Sequence, residues 1–177
     1  MKPKNPGIQI RIQLFNAIRD IPYKFGGNYL DTSCKSKAKL LGELLTRCGF
    51  KTYLVRSPYQ PNQLKLPNRI ANLAPLATYY HVFLKVLIPE TNQWVNVDPT
   101  WDKPLNPIYP IANWDGLSNT ASAIDCSKPK IIININGDPL SPIEATFAKF
   151  DLNIPYYQKI NCYYQQIRNQ YYLTQNE

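Results

Sequence analysis

Three side chains of this sequence, those of Cys34, His81 and Asp98, are of the types that cooperate in acyl transfer. In such a set a thiolate attacks a carbonyl carbon, an imidazole accepts and returns a proton, and a carboxylate orients the imidazole. The chain contains 4 cysteines but only 1 histidine, so His81 is the only imidazole available. The three residues can act together only if the elements that carry them lie side by side.

Cys34 is predicted to lie in the first turn of a helix. The residues at 31–33 are Asp, Thr and Ser, all good N-caps, and apolar side chains then recur at helical spacing until Gly49 ends the helix. The backbone N–H groups and the dipole at this end of a helix favour a thiolate. The same dipole disfavours the lysines that follow Cys34, so Lys35 is a candidate for lining a cleft instead.

His81 and Asp98 are predicted on two consecutive antiparallel strands. The first strand is TYYHVFLKVLIP, the second is QWVNVDPTW, and the turn-rich PETN joins them. His81 belongs to the mixed face of its strand, while Tyr80, Val82 and the alternate residues to Ile88 form an apolar face. An even loop places His81 and Asp98 on the same side as direct or diagonal neighbours, whereas an odd loop separates them.

The remaining segments predict further helices and strands around this centre. Residues 8–19 are interpreted as a helix, although their first part alternates like a strand, and KTYLVRS at 51–57 is predicted to be a strand. Residues 58–78 and 102–129 are predicted to be long irregular loops that frame a cleft. KIIININGD predicts a strand closed by a turn at 136–138. A capped helix is predicted from Ser141, and PYYQKINCYYQQIRNQYYL predicts a final helix.

Composition narrows the class of protein. With 177 residues and 44% hydrophobic content, the chain can form one compact core, so one domain is expected over 1–177. The core is predicted at about 20–138 and a helical extension at 141–175.

No segment is long and apolar enough to span a membrane, and Arg11 and Arg19 interrupt the first apolar run, so a cytoplasmic protein is expected. The cysteines are too sparse for a disulfide scaffold and form no CxxC pair, so no metal is expected.

The positive charge is concentrated in the first half of the chain. Of the net +8, residues 1–90 contribute +10 and residues 91–177 contribute −2. Such a charge could attract nucleic acid, an acidic protein or an anionic membrane surface. The sequence has neither a compact Lys/Arg run nor a nucleic-acid motif, so nucleic-acid binding is the least favoured hypothesis.

The run from DTSCKSKAKLLGELLTRCGFKTYLVRS through YYHVFLKV to QWVNVDPTWD resembles the core of the transglutaminase-like superfamily. Members of that family share a Cys at the start of a helix, a following strand, a His opening the next strand, and an Asp before Pro-Thr after the strand that follows. The similarity covers about residues 20–102, and Cys34, His81 and Asp98 match in the family's chain order. Two positions depart from the pattern: Ser33 replaces the usual Gly before the nucleophile, and Val82 replaces the aromatic that often follows the His.

The resemblance implies a papain-like α+β fold in which the helix bearing the nucleophile packs against an antiparallel sheet. It also implies roles, with Cys34 forming a thioester, His81 acting as general base and acid, and Asp98 orienting His81. Family members include protein cross-linking enzymes, peptidases and amide hydrolases such as peptide N-glycanases. Nothing in the chain resembles the calcium-binding segments of the animal cross-linking enzymes, so calcium dependence is not implied.

Two further sets of candidates complete the predicted site. An oxyanion needs donors, and these would be the Cys34 backbone N–H and a side chain of the GGNYLDTS loop, where Asn28 or Tyr29 could reach. Trp101 is a candidate for shielding the imidazole or lining the cleft, although an aromatic beside a hairpin end more often belongs to ordinary core.

The sequence therefore predicts a cysteine-dependent amide or peptide hydrolase, or an acyltransferase, that acts on a protein or peptide and needs no cofactor. Hydrolysis is favoured over transfer. The alternative is a non-catalytic binding module of the same fold. Cys48, on the predicted apolar face of its helix, and Cys126 and Cys162 are interpreted as structural. The tyrosine-rich final helix is interpreted as packing, with a partner surface as the alternative.

Overall fold

The structure is a computed structural model that describes residues 6–25, 31–76, 79–126, 131–134 and 155–175. Its larger helices are α1 (Pro6–Arg19), α2 (Cys34–Arg47) and α4 (Pro155–Thr174), with a short helix α3 (Asn68–Ala71) between strands. The strands are β1 (Thr52–Tyr59), β2 (Tyr79–Ile88), β3 (Gln93–Val97) and β4 (Ile131–Asn134). The predicted helix at 8–19, the helix beginning at Cys34, the strands and the final helix are confirmed.

The four strands form one antiparallel sheet in the order β3-β2-β1-β4. Together with the helices this is an α+β fold. Strands β2 and β3 are joined by residues 89–92, because Ile88 pairs with Gln93. Asn92 ends this loop in the left-handed region, at φ 52°, which Asn tolerates better than most residues. The connection thus has four residues, an even number, as the placement of His81 and Asp98 on the same side of the hairpin requires.

The first hydrophobic core lies between the helices α1 and α2 and one face of the sheet. Alternation along each strand sends every second side chain to this face, as the sequence predicts for β2 from Val82 to Ile88. Tyr80 differs, because it is only half-buried and carries the Arg56 guanidinium 3.5 Å above its ring. The buried core residues are Phe15, Ile18, Ala38, Leu41, Leu45, Leu54, Val82, Leu84, Val86, Ile88, Val95, Val97, Ala112 and Trp114.

The second core is largely aromatic and is built mainly from α4, the segment that follows β3, and the ends of β1 and β2. Its centre is Trp101, stacked on Tyr109 with ring centroids 3.9 Å apart and closed on one side by Tyr164. The final helix buries Tyr156, Tyr157, Ile160 and Tyr164 here. The interpretation of this helix as packing is therefore confirmed.

Two of the predictions about the fold need correction, and two others concern segments outside the described residues. Residues 58–78 are not irregular throughout, since β1 continues to Tyr59 and is followed by a 3-10 turn at Pro61–Gln63 and by α3. Cys48 is not on the apolar face of its helix but exposed at its C-cap. The predicted turn at 136–138 and the predicted helix from Ser141 lie outside the described residues. Within the described ranges, no helix has the length and hydropathy to cross a membrane.

Candidate active site

Cys34 is the first residue of α2, with Ser33 as its N-cap. The Ser33 hydroxyl does not cap the helix and instead donates to Asp31 Oδ2, while the Ser33 backbone N–H donates to Asp31 Oδ1. Ser36 donates to the same carboxylate from the first turn. Asp31 thereby fixes the chain just before the cysteine. The Cys34 side chain is half-buried and packs against both hydrophobic cores.

His81 lies in β2, fully buried, and its Nε2 is 2.7 Å from Asp98 Oδ2. Leu84 pairs with Val97, so extending this register places Asp98 opposite Phe83 and diagonal to His81. The predicted proximity of the histidine and the aspartate is confirmed, as is its dependence on an even loop.

The Asp98 carboxylate accepts four hydrogen bonds, two on each oxygen. Thr100 donates to Oδ1 from its hydroxyl at 2.6 Å and from its backbone N–H at 3.2 Å. The backbone N–H of Ala123 donates to Oδ2 at 2.8 Å, beside His81. Sequence reasoning did not identify these partners; the Asp-Pro-Thr order offered a signal for Thr100, whereas nothing local pointed to Ala123.

These contacts favour the charged forms of both residues. Burial raises the pKa of Asp98, but the His81 charge and the hydrogen bonds from His81, Thr100 and Ala123 outweigh it and hold that pKa below its ordinary value. Burial likewise lowers the pKa of His81, but the Asp98 charge and hydrogen bond, together with Cys34, raise it well above its ordinary value. Because Asp98 is ionised, His81 Nε2 must be the hydrogen-bond donor of the pair.

The other ring nitrogen of His81 is left for Cys34. Nδ1 is buried and makes no hydrogen bond among the described residues, but the Cys34 thiol is near enough to help raise the pKa of His81. With Nε2 held by Asp98, Nδ1 is the ring nitrogen that remains available to the sulfur. The three predicted residues are thus brought together in the order thiol, imidazole, carboxylate.

Two tyrosines near the thiol were not identified from the sequence. Burial raises the pKa of Tyr23 and of Tyr59 well above the ordinary value, and charge on Cys34 is the next cause for each. Both phenols therefore keep their protons at neutral pH and remain hydrogen-bond donors. The predicted oxyanion candidates, Asn28 and Tyr29, lie outside the described residues.

The two predicted cleft residues occupy different environments. Trp101 is only 2% exposed and belongs to the second core, so it does not line an open cleft. Its indole N–H donates to the carbonyl of Ala123, whose own N–H holds Asp98, so Trp101 supports the carboxylate indirectly. Lys35 is half-buried in the first turn of α2.

A recess of about 270 Å³ lies beside Asp98, on the side of the hairpin that carries His81. It combines hydrogen-bonding and acidic groups with one aromatic wall. Its lining residues are Phe83, Asn96, Asp98, Thr120, Ser122, Asp125 and Cys126. Residues of the segment 120–126 thus form one side of this recess, and the predicted framing of a cleft by the loop at 102–129 stays a prediction.

A buried ion pair fastens α4 to the segment that follows Asp98. Arg168 donates to both oxygens of Asp102, at 2.7 and 2.8 Å, and also to the Tyr23 carbonyl. Asp102 Oδ1 accepts a further hydrogen bond from the Tyr23 backbone N–H. The Arg168 and Asp102 side chains are 5% and 1% exposed. The chain on either side of the site is therefore anchored to the final helix.

Lys37 is a second buried charge that the sequence analysis left unused. It lies one turn after Cys34, and its Nζ donates to the carbonyls of Arg19 and Thr100, at 2.9 Å each. Burial lowers its pKa to about 7, although Asp102, Asp20 and Asp98 oppose this shift. The lysine links the nucleophile helix to the Thr100 backbone.

The depressed pKa of Lys37 predicts a pH-dependent stability. Between about pH 7 and its unfolded value of 10.5, the unfolded chain holds more protons than the native protein, so stability increases with pH. From pH 7 to pH 9 we expect the free energy of unfolding to rise by about 2 kcal/mol relative to that of Lys37→Met, measured by urea denaturation. Lys39→Met, at a lysine that is 51% exposed, is the control. Parallel pH curves for the native protein and Lys37→Met would contradict the expectation.

No protein-family model matches the chain, and comparison with curated proteins and with solved structures gives no significant match either. The geometry of Cys34, His81 and Asp98 is therefore the evidence on which a function must rest.

Proposed function

We propose that this protein is a cysteine-dependent amide or peptide hydrolase, or an acyltransferase, with a transglutaminase-like core of papain-like type. The observation that carries the proposal is the 2.7 Å contact between His81 Nε2 and Asp98, which leaves Nδ1 to Cys34. The packing of α2 against β1 and β2 supports the fold assignment.

In the acylation step, the Cys34 sulfur, as a thiolate, attacks the carbonyl carbon of an amide. The C–S bond forms as the carbonyl π bond opens, and the C–N bond then breaks as the oxyanion collapses. The proton held by His81 passes from Nδ1 to the departing nitrogen, which leaves as an amine. The products of this half-reaction are a thioester on Cys34, a neutral imidazole and an amine.

In the second step, a nucleophile resolves the thioester. Water gives a carboxylic acid, whereas an acceptor amine gives a new amide; in both cases His81 accepts the nucleophile's proton and Cys34 leaves as the thiolate. Asp98 stabilises the imidazolium in each half of the cycle and stays ionised. Hydrolysis remains the favoured outcome, with a protein or peptide as substrate.

The developing oxyanion needs donors that are already in place. The Cys34 backbone N–H is suited to this, since the first N–H groups of a helix have no partner within the helix. Asn28 and Tyr29 remain the proposed second donors from the preceding loop. Tyr23 and Tyr59 are additional candidates, because each keeps a phenol proton near Cys34.

The test is the rate at which iodoacetamide alkylates each cysteine, read by mass spectrometry at pH 6 to 9. We expect Cys34 to react at pH 6 at least tenfold faster than Cys48 and Cys162, because His81 holds the thiol proton. Those two cysteines are exposed and serve as internal references within the same molecule. In His81→Ala the advantage of Cys34 should disappear while the reference rates stay constant.

The opposite result is equally informative. If Cys34 reacts no faster than the exposed cysteines and is indifferent to His81, the catalytic proposal fails. A non-catalytic binding module of the same fold would then be the better description.

A further inference from the structure

Two buried polar atoms at the candidate site have no hydrogen-bond partner in the part of the chain that the structure describes. They are Ser57 Oγ and His81 Nδ1. Both residues are 0% exposed, and they pair directly across β1 and β2. Directly opposite residues of an antiparallel pair point to the same face, with Cβ atoms about 4.5–5.5 Å apart. The serine hydroxyl and the imidazole are therefore neighbours.

The position of Ser57 opposite His81 suits a hydroxyl that forms a hydrogen bond in one state of the site and none in another. A buried hydroxyl without a hydrogen bond destabilises the native state, whereas an alanine in its place would not. A serine side chain rotates among three staggered positions and can both donate and accept. Rotation about the Cα–Cβ bond of Ser57 can bring Oγ toward the imidazole of its cross-strand partner, whose Nδ1 is the nitrogen that Asp98 leaves open.

We propose that Ser57 is a positioning residue for His81. The Ser57 hydroxyl donates a hydrogen bond to His81 Nδ1 when two conditions hold: Nδ1 carries no proton, and Cys34 no longer presents a thiol to it. This proposal rests on the proposed function. It applies after acylation, when His81 has given its proton to the departing amine and the thioester offers no proton in return. A hydrogen bond from Ser57 would then hold the ring in place until water or an acceptor amine arrives.

The proposal can be tested without a substrate, because the chain has a single histidine. Protein labelled with ¹⁵N-histidine gives imidazole signals from His81 alone. The Cys34→Ala variant imitates the acylated enzyme in one respect, because in both the thiol proton is absent. A donor to Nδ1 stabilises the neutral ring, so its loss favours protonation. In the Cys34→Ala background, we expect Ser57→Ala to raise the titration midpoint of His81 by about one pH unit, a tenfold change in proton affinity. Asp98, the other titratable group that acts strongly on His81, is unchanged throughout.

Thr52→Val is the matched control on the same strand. Thr52 is also buried, but its hydroxyl interacts with the Thr46 hydroxyl at 3.0 Å and donates to the Gly42 carbonyl at 3.4 Å. Its loss should lower the melting temperature and leave the His81 titration unchanged. Ser57→Ala should do the reverse: it shifts the titration in the Cys34→Ala background, and in the native background, where its hydroxyl has no partner among the described residues, it leaves the melting temperature unchanged or raises it.

The outcomes separate this proposal from the one on which it rests. An identical His81 titration with and without the Ser57→Ala substitution would overturn the role of Ser57, whatever the alkylation of Cys34 shows. Slow alkylation of Cys34 combined with a Ser57-dependent titration would instead support the contact and reject the catalytic proposal.

Discussion

Replacing Arg168 by Met should lower the free energy of unfolding by about 3–5 kcal/mol. The substitution keeps an apolar side chain in α4 but removes the only cation that contacts both oxygens of Asp102 among the described residues. A buried carboxylate without a countercharge is costly, because burial strips away its hydration. Urea denaturation followed by circular dichroism would measure the loss.

Two further variants show whether the loss of stability comes from the uncompensated charge of Asp102. Asp102→Asn in the Arg168→Met background removes the uncompensated charge but keeps an oxygen to accept from the Tyr23 N–H, so it should recover part of the stability. Arg47→Met, at an exposed arginine of α2, should change stability little. A loss below about 1 kcal/mol in Arg168→Met would mean that the ion pair contributes little to stability.

Asp98→Asn should slow the alkylation of Cys34 at pH 6 by about tenfold to a thousandfold. An opposite charge in contact shifts a pKa by about 1–3 units, and Asp98 is the chief reason that the pKa of His81 stays high despite burial. Without that charge, burial lowers the pKa of His81, and the imidazole no longer holds the thiol proton. The asparagine NH₂ must also face an N–H donor in either orientation, because His81 and Ala123 both point at the Oδ2 position and the Thr100 backbone N–H points at the Oδ1 position.

The control for this substitution is Asp115→Asn. Asp115 is another aspartate that accepts backbone hydrogen bonds, from Leu117 and Ser118, but the structure places it outside the candidate site. Its replacement should leave the alkylation of Cys34 unchanged. Equal rates for Asp98→Asn and the native protein would remove Asp98 from the proposed mechanism.

The helix that carries Cys34 and the hairpin that carries His81 and Asp98 could be predicted because local rules decide them. N-cap residues place Cys34 in the first turn of α2, and the parity of the β2–β3 loop places His81 and Asp98 on one side. Each inference needs only neighbouring residues or a single loop length. The structure agrees with both.

The buried charges could not be predicted in the same way. Arg168 follows Ile160 and Tyr164 at four-residue spacing, and Lys37 lies beside the apolar stripe of α2, so both lie on the buried faces of their helices. Their partners are distant in the chain: Asp102 lies 66 residues from Arg168, and Thr100 lies 63 residues from Lys37. A lone sequence gives no means of matching such pairs. For the same reason, Ser57 became a candidate only when the strand register placed it opposite His81.

The position of Cys34 against both hydrophobic cores has a consequence for how the site responds to heating. The two cores differ in character, one mainly aliphatic and one mainly aromatic, and separate parts of a protein can open at different free energies. Because the sulfur rests on both, we expect the opening of either core to disturb its position beside the imidazole. Reactivity at Cys34 is therefore limited by whichever core melts first, however stable the other is.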